Sequence, residues 1–224
     1  MKLRNFSILS ILVVISFFIL FQLLASEFIV KKGFQKLEDE HARFLVNAVR
    51  RALDIKLVDL DKLLIDWANW DDSYDFVQTP TPEYVQSNLL IDTFLDQSLL
   101  CVVFQNKQGD LIYLQAVNHD GQFDKALADN IFRQISMKSP SLSESLDKQK
   151  GMLSLETGEL LMIAKRPVLT SKVAGPAMGT IMFIRLVSQA MQNEISSLLG
   201  ADMTLVPLGE KKDIWVKAIQ AQDK

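Results

Sequence analysis

The chain is 224 residues long, 49% hydrophobic and 23% charged, with a formal net charge of −3. That length suits one domain plus an anchor or tail, and the acidic balance disfavours a nucleic-acid binder or a protein that holds anionic lipid. A single cysteine, Cys101, excludes an intramolecular disulfide and a cysteine metal cluster.

Phe6 to Ala25 carries no charge and is interrupted only by Ser7, Ser10, Ser16 and Gln22. At about 1.5 Å per helical residue it is long enough to span a bilayer's hydrocarbon core. Lys2 and Arg4 would also serve as the basic start of a signal peptide. The apolar run, however, exceeds the roughly 7–15 residues usual there, and Leu24-Ala25-Ser26 is a poor cleavage site. The expectation is an uncleaved transmembrane helix over 6–26 after a short segment 1–5. Lys2 and Arg4 stand against Lys31, Lys32 and Lys36, so charge alone leaves the orientation open. Without Lys2 and Arg4, 22 basic and 27 acidic side chains leave a net −5 on the larger side.

From Glu27 to about Gln78 the chain reads as one long helix with no proline and only Gly33. Phe34, Leu37, His41, Phe44 and Ala48 step by three and four. Val49, Leu53, Leu57, Leu60, Leu64 and Trp67 continue a similar stripe shifted by one. Residues 27–64 form a stalk in this reading, its stripe packed on its own domain or on a second copy in a homodimer.

Asp66 to Val77 is the densest stretch: Asp-Trp-Ala-Asn-Trp-Asp-Asp-Ser-Tyr-Asp-Phe-Val. On a helix Leu63, Trp67, Trp70 and Tyr74 share one face. Thr79-Pro80-Thr81-Pro82 ends that helix near Gln78. From Leu63 to Asn106 there are seven acids and no Lys or Arg. Aromatic rings beside carboxylates make either a folding anchor or a ligand wall, and residue types alone leave both open.

Downstream the period changes to that of strands. Leu99 to Gln105 and Leu111 to Val117 flank the turn Asn106-Lys107-Gln108-Gly109-Asp110. Cys101 falls in the first of these strands and reads as an inert core thiol. A helix is expected over Phe123 to Met137, then a loop or short helix around Pro140. A second hairpin joins Gly151–Glu156 to Glu159–Lys165. Gly179 to Val187 is an apolar strand that contains Arg185. Ser188 is placed to cap a helix to Leu199, with Gly200 at its end. Met203–Pro207 and Ile214–Ile219 are weaker strands in a C-terminal region, 201–224. Hairpins dominate, so the class is α+β: an antiparallel sheet with helices on one side.

The chemistry points away from an enzyme. Asp71 and Asp72 diverge on a helix, and no Ser-His-Asp set, phosphate loop or metal-spaced histidine occurs; His41 and His119 stand far apart. No catalytic residue, metal site or cofactor is expected. An acidic aromatic wall of Trp67, Trp70 and Tyr74 suits a small ligand, in particular an amine or other cation. Arg166 and Arg185 are the natural partners for Asp71 or Asp72, either as an internal ion pair or together around a ligand.

The motif Asp-Trp-Ala-x-Trp-Asp-Asp-x-Tyr-x-Phe over Asp66 to Phe76 resembles the signature of CHASE extracellular sensory domains of the fourth class. Tyr84, Asn88-Leu89, Gly151-Met152-Leu153, the run Ile163 to Ser171, the run Gly175 to Met182 and Arg185 follow in order, covering roughly 40–200. Ile184 departs from the glycine common before that arginine. The resemblance implies a PAS/Cache-like sheet with flanking helices. It also implies an N-terminus in the cytoplasm of a bacterial cell and a single-pass anchor in the inner membrane, with the domain in the periplasm. Such domains are fused, after a second membrane helix, to diguanylate cyclase, phosphodiesterase or histidine kinase modules. Ala201 to Lys224 has charged side chains from Glu210 onward and no apolar run. The sequence therefore reads as a fragment, a truncated product or a stand-alone sensor signalling through a separate output protein. The alternative is an anchored structural or interaction module that binds no small ligand.

Overall fold

The computed structural model describes residues 2–206 and 215–218, with side chains described for 7–23, 36–142 and 145–205. The chain divides into two compact units, Met1–Ala48 and Val49–Lys224. The first is the N-terminal part of helix α1 (Lys2–Ala68). Every large apolar side chain described from Ile8 to Leu23 is exposed on that helix. Among the described residues no helix is long and apolar enough to cross a membrane. The side chains of Phe6, Leu24 and Ala25, at the ends of the expected span, lie outside them.

The second unit starts with the rest of α1. Val49, Leu53, Leu57, Leu60, Leu64 and Ala68 are all buried. The stripe expected from the sequence thus faces the domain from Val49 to Leu64, and its last member, Trp67, is half-buried beside Ala68. Three short helices follow: α2 (Asp71–Gln78), α3 (Pro82–Asn88) and α4 (Ile91–Asp96). The remaining elements are β1 (Cys101–Asn106), β2 (Leu111–Ala116), α5 (Lys125–Lys138), α6 (Pro140–Glu144), β3 (Gln149–Ser154), β4 (Leu160–Pro167), β5 (Gly179–Leu186), α7 (Gln189–Leu199), β6 (Met203–Val206) and β7 (Trp215–Ala218). The five-stranded sheet runs β2-β1-β5-β4-β3, antiparallel throughout, and β6 pairs with β7.

The α+β class and both hairpins agree with the sequence. Ser188 accepts from the Met191 N–H, and Gly200 caps α7 at φ 62°. One expectation fails: helices cover both faces of the sheet. Val102, Phe104, Ala164, Ile181 and Phe183 pack toward α1 and α2, whereas Cys101, Val103, Ile163, Met182 and Ile184 pack with Ala128, Ile131 and Ile135 of α5. Strands buried on both faces read as continuous apolar runs rather than alternating ones, as β1, β4 and β5 do. The buried Cys101 thiol is pushed above its ordinary pKa by burial, an inert core group as expected.

A second correction concerns the aromatic stretch. The long helix ends at Ala68 and restarts at Asp71, with Trp70 extended between them (φ −107°, ψ 132°). The loop after β4 holds the break. Leu169 N–H donates to the Ala68 carbonyl (2.8 Å), and Asp71 accepts from Ser171 N–H (2.8 Å) and Ser171 Oγ (2.7 Å). Asp71 and Asp72 then lie in the first turn of α2, where the helix dipole favours negative charge. Gly179 lets α2 sit against the sheet, since a Cβ there would overlap the Gln105 carbonyl oxygen and press on Val77.

Candidate functional site

Broken at Trp70, the chain turns its aromatic rings into a wall. Trp67 packs edge-on against Phe183 of β5 (centroids 5.6 Å) and against Trp70 (6.1 Å). Trp70 is tilted against Tyr84 of α3 (6.2 Å), and Tyr84 stacks on Phe76 (4.2 Å, 15°). Phe76 and Tyr84 both meet Phe104 of β1 edge-on. The inner rings are thus fixed by the sheet, and Trp70, 37% exposed, is the rim. Beneath it the Tyr84 hydroxyl and Ser73 Oγ share a buried hydrogen bond of 2.7 Å. Burial pushes the Tyr84 phenol up to about 12, with Asp72 nearby adding to the effect, so it stays protonated.

Two grooves open on this wall. The larger, about 650 Å³, lies between α2 and α3, with Trp70, Phe76 and Tyr84 as its apolar part and Asp72, Asp75 and Glu83 as its charges. The smaller, about 450 Å³, has Trp67, Trp70, Asp66 and Thr93. Trp70, Ser87 and Asn88 line both, and no Lys, Arg or His lines either. Among the described residues none of these four carboxylates has an ion-pair partner.

Of the seven residues singled out in the sequence, Trp67, Trp70 and Asp72 line the grooves. Asp71 and Tyr74 face the loop after β4 instead: Asp71 binds Ser171, and the Tyr74 hydroxyl donates to the Pro176 carbonyl at 3.4 Å. Hydrogen bonds from the Ser171 backbone and hydroxyl hold the Asp71 carboxyl below its ordinary pKa. Arg166 and Arg185 line neither groove.

The expected pairing of Asp71 or Asp72 with Arg166 or Arg185 is not found. Arg166 Nε lies 2.7 Å from Asp61 Oδ1, and Lys148 and Lys150 lie 3.1 and 3.7 Å from Asp61 Oδ2. Arg185 donates to the carbonyls of Gln97 (2.7 Å) and Ser98 (3.3 Å) at the end of α4. There it meets the negative end of a helix dipole. Both aspartates are exposed, so they had no need of a buried cation.

Sequence reasoning passed over Asp61. The signal was present: an acid one turn after Leu57 and three residues before Leu64, on the buried face of α1. Glu83, Ser87 and Asp75, which also line the larger groove, carried no signal beyond the acidity of the region. Among the described residues no group of acids, histidines or cysteine is arranged to hold a metal ion.

A family model described as CHASE4 domain matches residues 52–206. Among characterised proteins, the chain is 26% identical over 181 residues to the methanogenesis regulatory histidine kinase FilI of Methanothrix harundinacea (strain 6Ac). That alignment covers 79% of this chain and 20% of the kinase, so the chain spans about a fifth of the relative's length. Two solved structures are similar at a distance. The ligand-binding domain of the Campylobacter jejuni chemoreceptor Tlp3, in complex with L-valine, is 14% identical, with a TM-score of 0.42 covering 69% of this chain and 60% of that one. The Vibrio cholerae LuxQ periplasmic domain is 9% identical, with a TM-score of 0.43 covering 78% and 80%. Likenesses this distant carry no detail of the site.

Proposed function

This chain belongs to the CHASE4 family, and on that premise we propose that it is the sensory input part of a membrane-anchored signalling protein. It takes up a small extracytoplasmic ligand and passes the signal across the inner membrane to a histidine-kinase or cyclic-di-GMP output module, on its own polypeptide or on a partner. The domain itself performs no chemistry. Its PAS/Cache-like reading follows from the family.

The observation that carries this reading is the pair of grooves meeting at Trp70. The larger is within the size range of small-molecule sites, roughly 300–1,000 Å³, and sets the rings of Trp70, Phe76 and Tyr84 among polar and acidic side chains that can orient a ligand. Trp70 and Asp72 in the larger groove and Trp67 in the smaller are the ligand-contacting residues, and Asp71 and Tyr74 hold α2 to the loop after β4. Arg166 and Arg185 support the scaffold. The exposed apolar run from Ile8 to Leu23 supports an anchor over 6–26, with 27–64 as stalk and the domain in the periplasm. Leu37 and Phe44, both exposed and one heptad apart, support pairing with a second copy along the stalk.

Two measurements test it. An alkaline phosphatase fused after residue 224 is active in bacteria if the domain is periplasmic, and an inactive fusion overturns the orientation. Native mass spectrometry of the full chain, exposed to a small-molecule extract of growth medium, gives an adduct that is lost in Trp70→Ala. No adduct with either protein favours a structural module without a ligand, and an adduct that persists in Trp70→Ala overturns the placement of the site at Trp70.

A further inference from the structure

We infer that the groove at Trp70 selects a small organic cation, an ammonium or quaternary ammonium ion, which lies against the Trp70 face and is neutralised by Asp72 and its neighbours. The inference rests on the sensory reading above and deepens it by naming the ligand's chemistry.

Three observations lead there. The first is charge. Asp72, Asp75 and Glu83 line the larger groove and Asp66 the smaller, with no cationic side chain in either lining and no ion pair to any of the four among the described residues. An anion entering would meet only like charge, whereas a cation gains attraction from every carboxylate around it.

The second is spacing. Asp72 and Asp75 stand on successive positions of one α2 face, and Glu83 lies across the groove on the first turn of α3. Among the described residues these carboxylates do not converge as a metal site. Groups dispersed around about 650 Å³ suit a molecular cation rather than a bare ion, which needs several oxygens at roughly 2.0–2.6 Å.

The third is the wall. Trp is the strongest aromatic partner for a cation held over its face. Trp70 is the exposed ring of the set, and its position is set from behind by Trp67 and Tyr84. The ring therefore waits in place, and little ordering is needed on binding. Thr79, Thr81, Ser87 and Asn88 add neutral hydrogen-bonding groups around it, able to serve N–H donors of an ammonium.

The test is calorimetric titration of the full chain in a maltoside detergent, since choline-headgroup detergents would compete. The probes are choline and putrescine, with succinate and glycerol as the anionic and neutral controls. Choline or putrescine is expected to bind, and the controls not. Trp70→Ala weakens binding about threefold to thirtyfold, the range of a cation–π contact. Asp72→Asn also weakens it and flattens its salt dependence, because part of the attraction is between full charges. Both residues are exposed at the rim, so circular dichroism of each variant should match the parent. Binding of succinate or glycerol in place of the amines, or silence from both amines, overturns the cation inference. An adduct in the native mass spectrum that is not a cation leaves the sensory reading standing while the inference fails. Amine binding unchanged in both variants places the site elsewhere and overturns it as well.

Discussion

Asp61 of α1 and Arg166 of β4 form an ion pair across the domain, 2.7 Å from Nε to Oδ1, with the carboxylate almost sealed from solvent. Burial alone would raise the Asp61 pKa, but hydrogen bonds and charge from Arg166 and Lys148 outweigh it and hold the carboxyl below its ordinary value. A carboxylate depressed in the folded state contributes stability above its unfolded pKa, roughly 3.9, and loses it as pH falls through the folded value. Asp61→Asn is therefore expected to cost stability at pH 7, on the order of 2–4 kcal/mol, and less near pH 3, where part of the contribution has already gone. Urea melts at both pH values check it. An equal deficit at both would show that the charge is not what matters.

Lys165 carries a buried charge that costs stability instead of contributing it. It is 1% exposed on β4, and its ammonium donates to the Leu142 carbonyl at 2.7 Å. Burial pushes its pKa down to about 8. Between there and the unfolded value near 10.4 the unfolded chain binds more protons, so stability rises with pH across that window. Below about 8 the buried charge is a full penalty. Thermal melts from pH 7.5 to 10 should show this rise, superposed on any general alkaline loss. The Lys165→Met variant should lack it, and parallel curves for the two proteins would contradict the assignment.

The Ser73–Tyr84 hydrogen bond lies under the groove, with both side chains buried. Tyr84→Phe leaves the Ser73 hydroxyl alone in the core, at a cost of about 1–3 kcal/mol. Adding Ser73→Ala should return part of that loss, because both polar partners are then gone. Chemical denaturation of the two singles and the double closes the cycle. Additive costs would mean that the bond contributes nothing.

Ser171 fixes the helix break through Asp71. Carboxyl chemical shifts followed through an acid titration should place the Asp71 midpoint below that of ordinary aspartates, because both Ser171 bonds favour the charged form. Ser171→Ala keeps the backbone N–H but removes the hydroxyl, and should move the midpoint back part of the way. An unshifted midpoint in the variant would show that the hydroxyl is idle.

The sheet was largely legible in the residues because each hairpin carries its own turn: Asn106 Oδ1, for example, accepts from the Gln108 and Asp110 N–H groups. The α7 caps are equally local. The break at Trp70 was not legible. Leu63, Trp67, Trp70 and Tyr74 keep helical spacing, and what interrupts them is Leu169 and Ser171, about a hundred positions away. Periodicity reports local preference, and here tertiary hydrogen bonds override it. The aromatic and acidic composition of the site was visible, and Trp67, Trp70 and Asp72 follow from it. The partners of Arg166 and Arg185 were not, because the sequence offers many carboxylates and carbonyls and does not say which are near. Asp61 was the readable exception, a lone acid on an apolar helix face.

Hydrogen exchange of the full chain in maltoside, with and without choline, tests the central claim most directly. Choline seated at Trp70 should slow exchange in α2 and α3, residues 71–78 and 82–88, which form the groove walls. The slowing should disappear in Trp70→Ala. Exchange unchanged in those two helices at saturating choline, or protection confined to elements that do not line the groove, would contradict a choline site there.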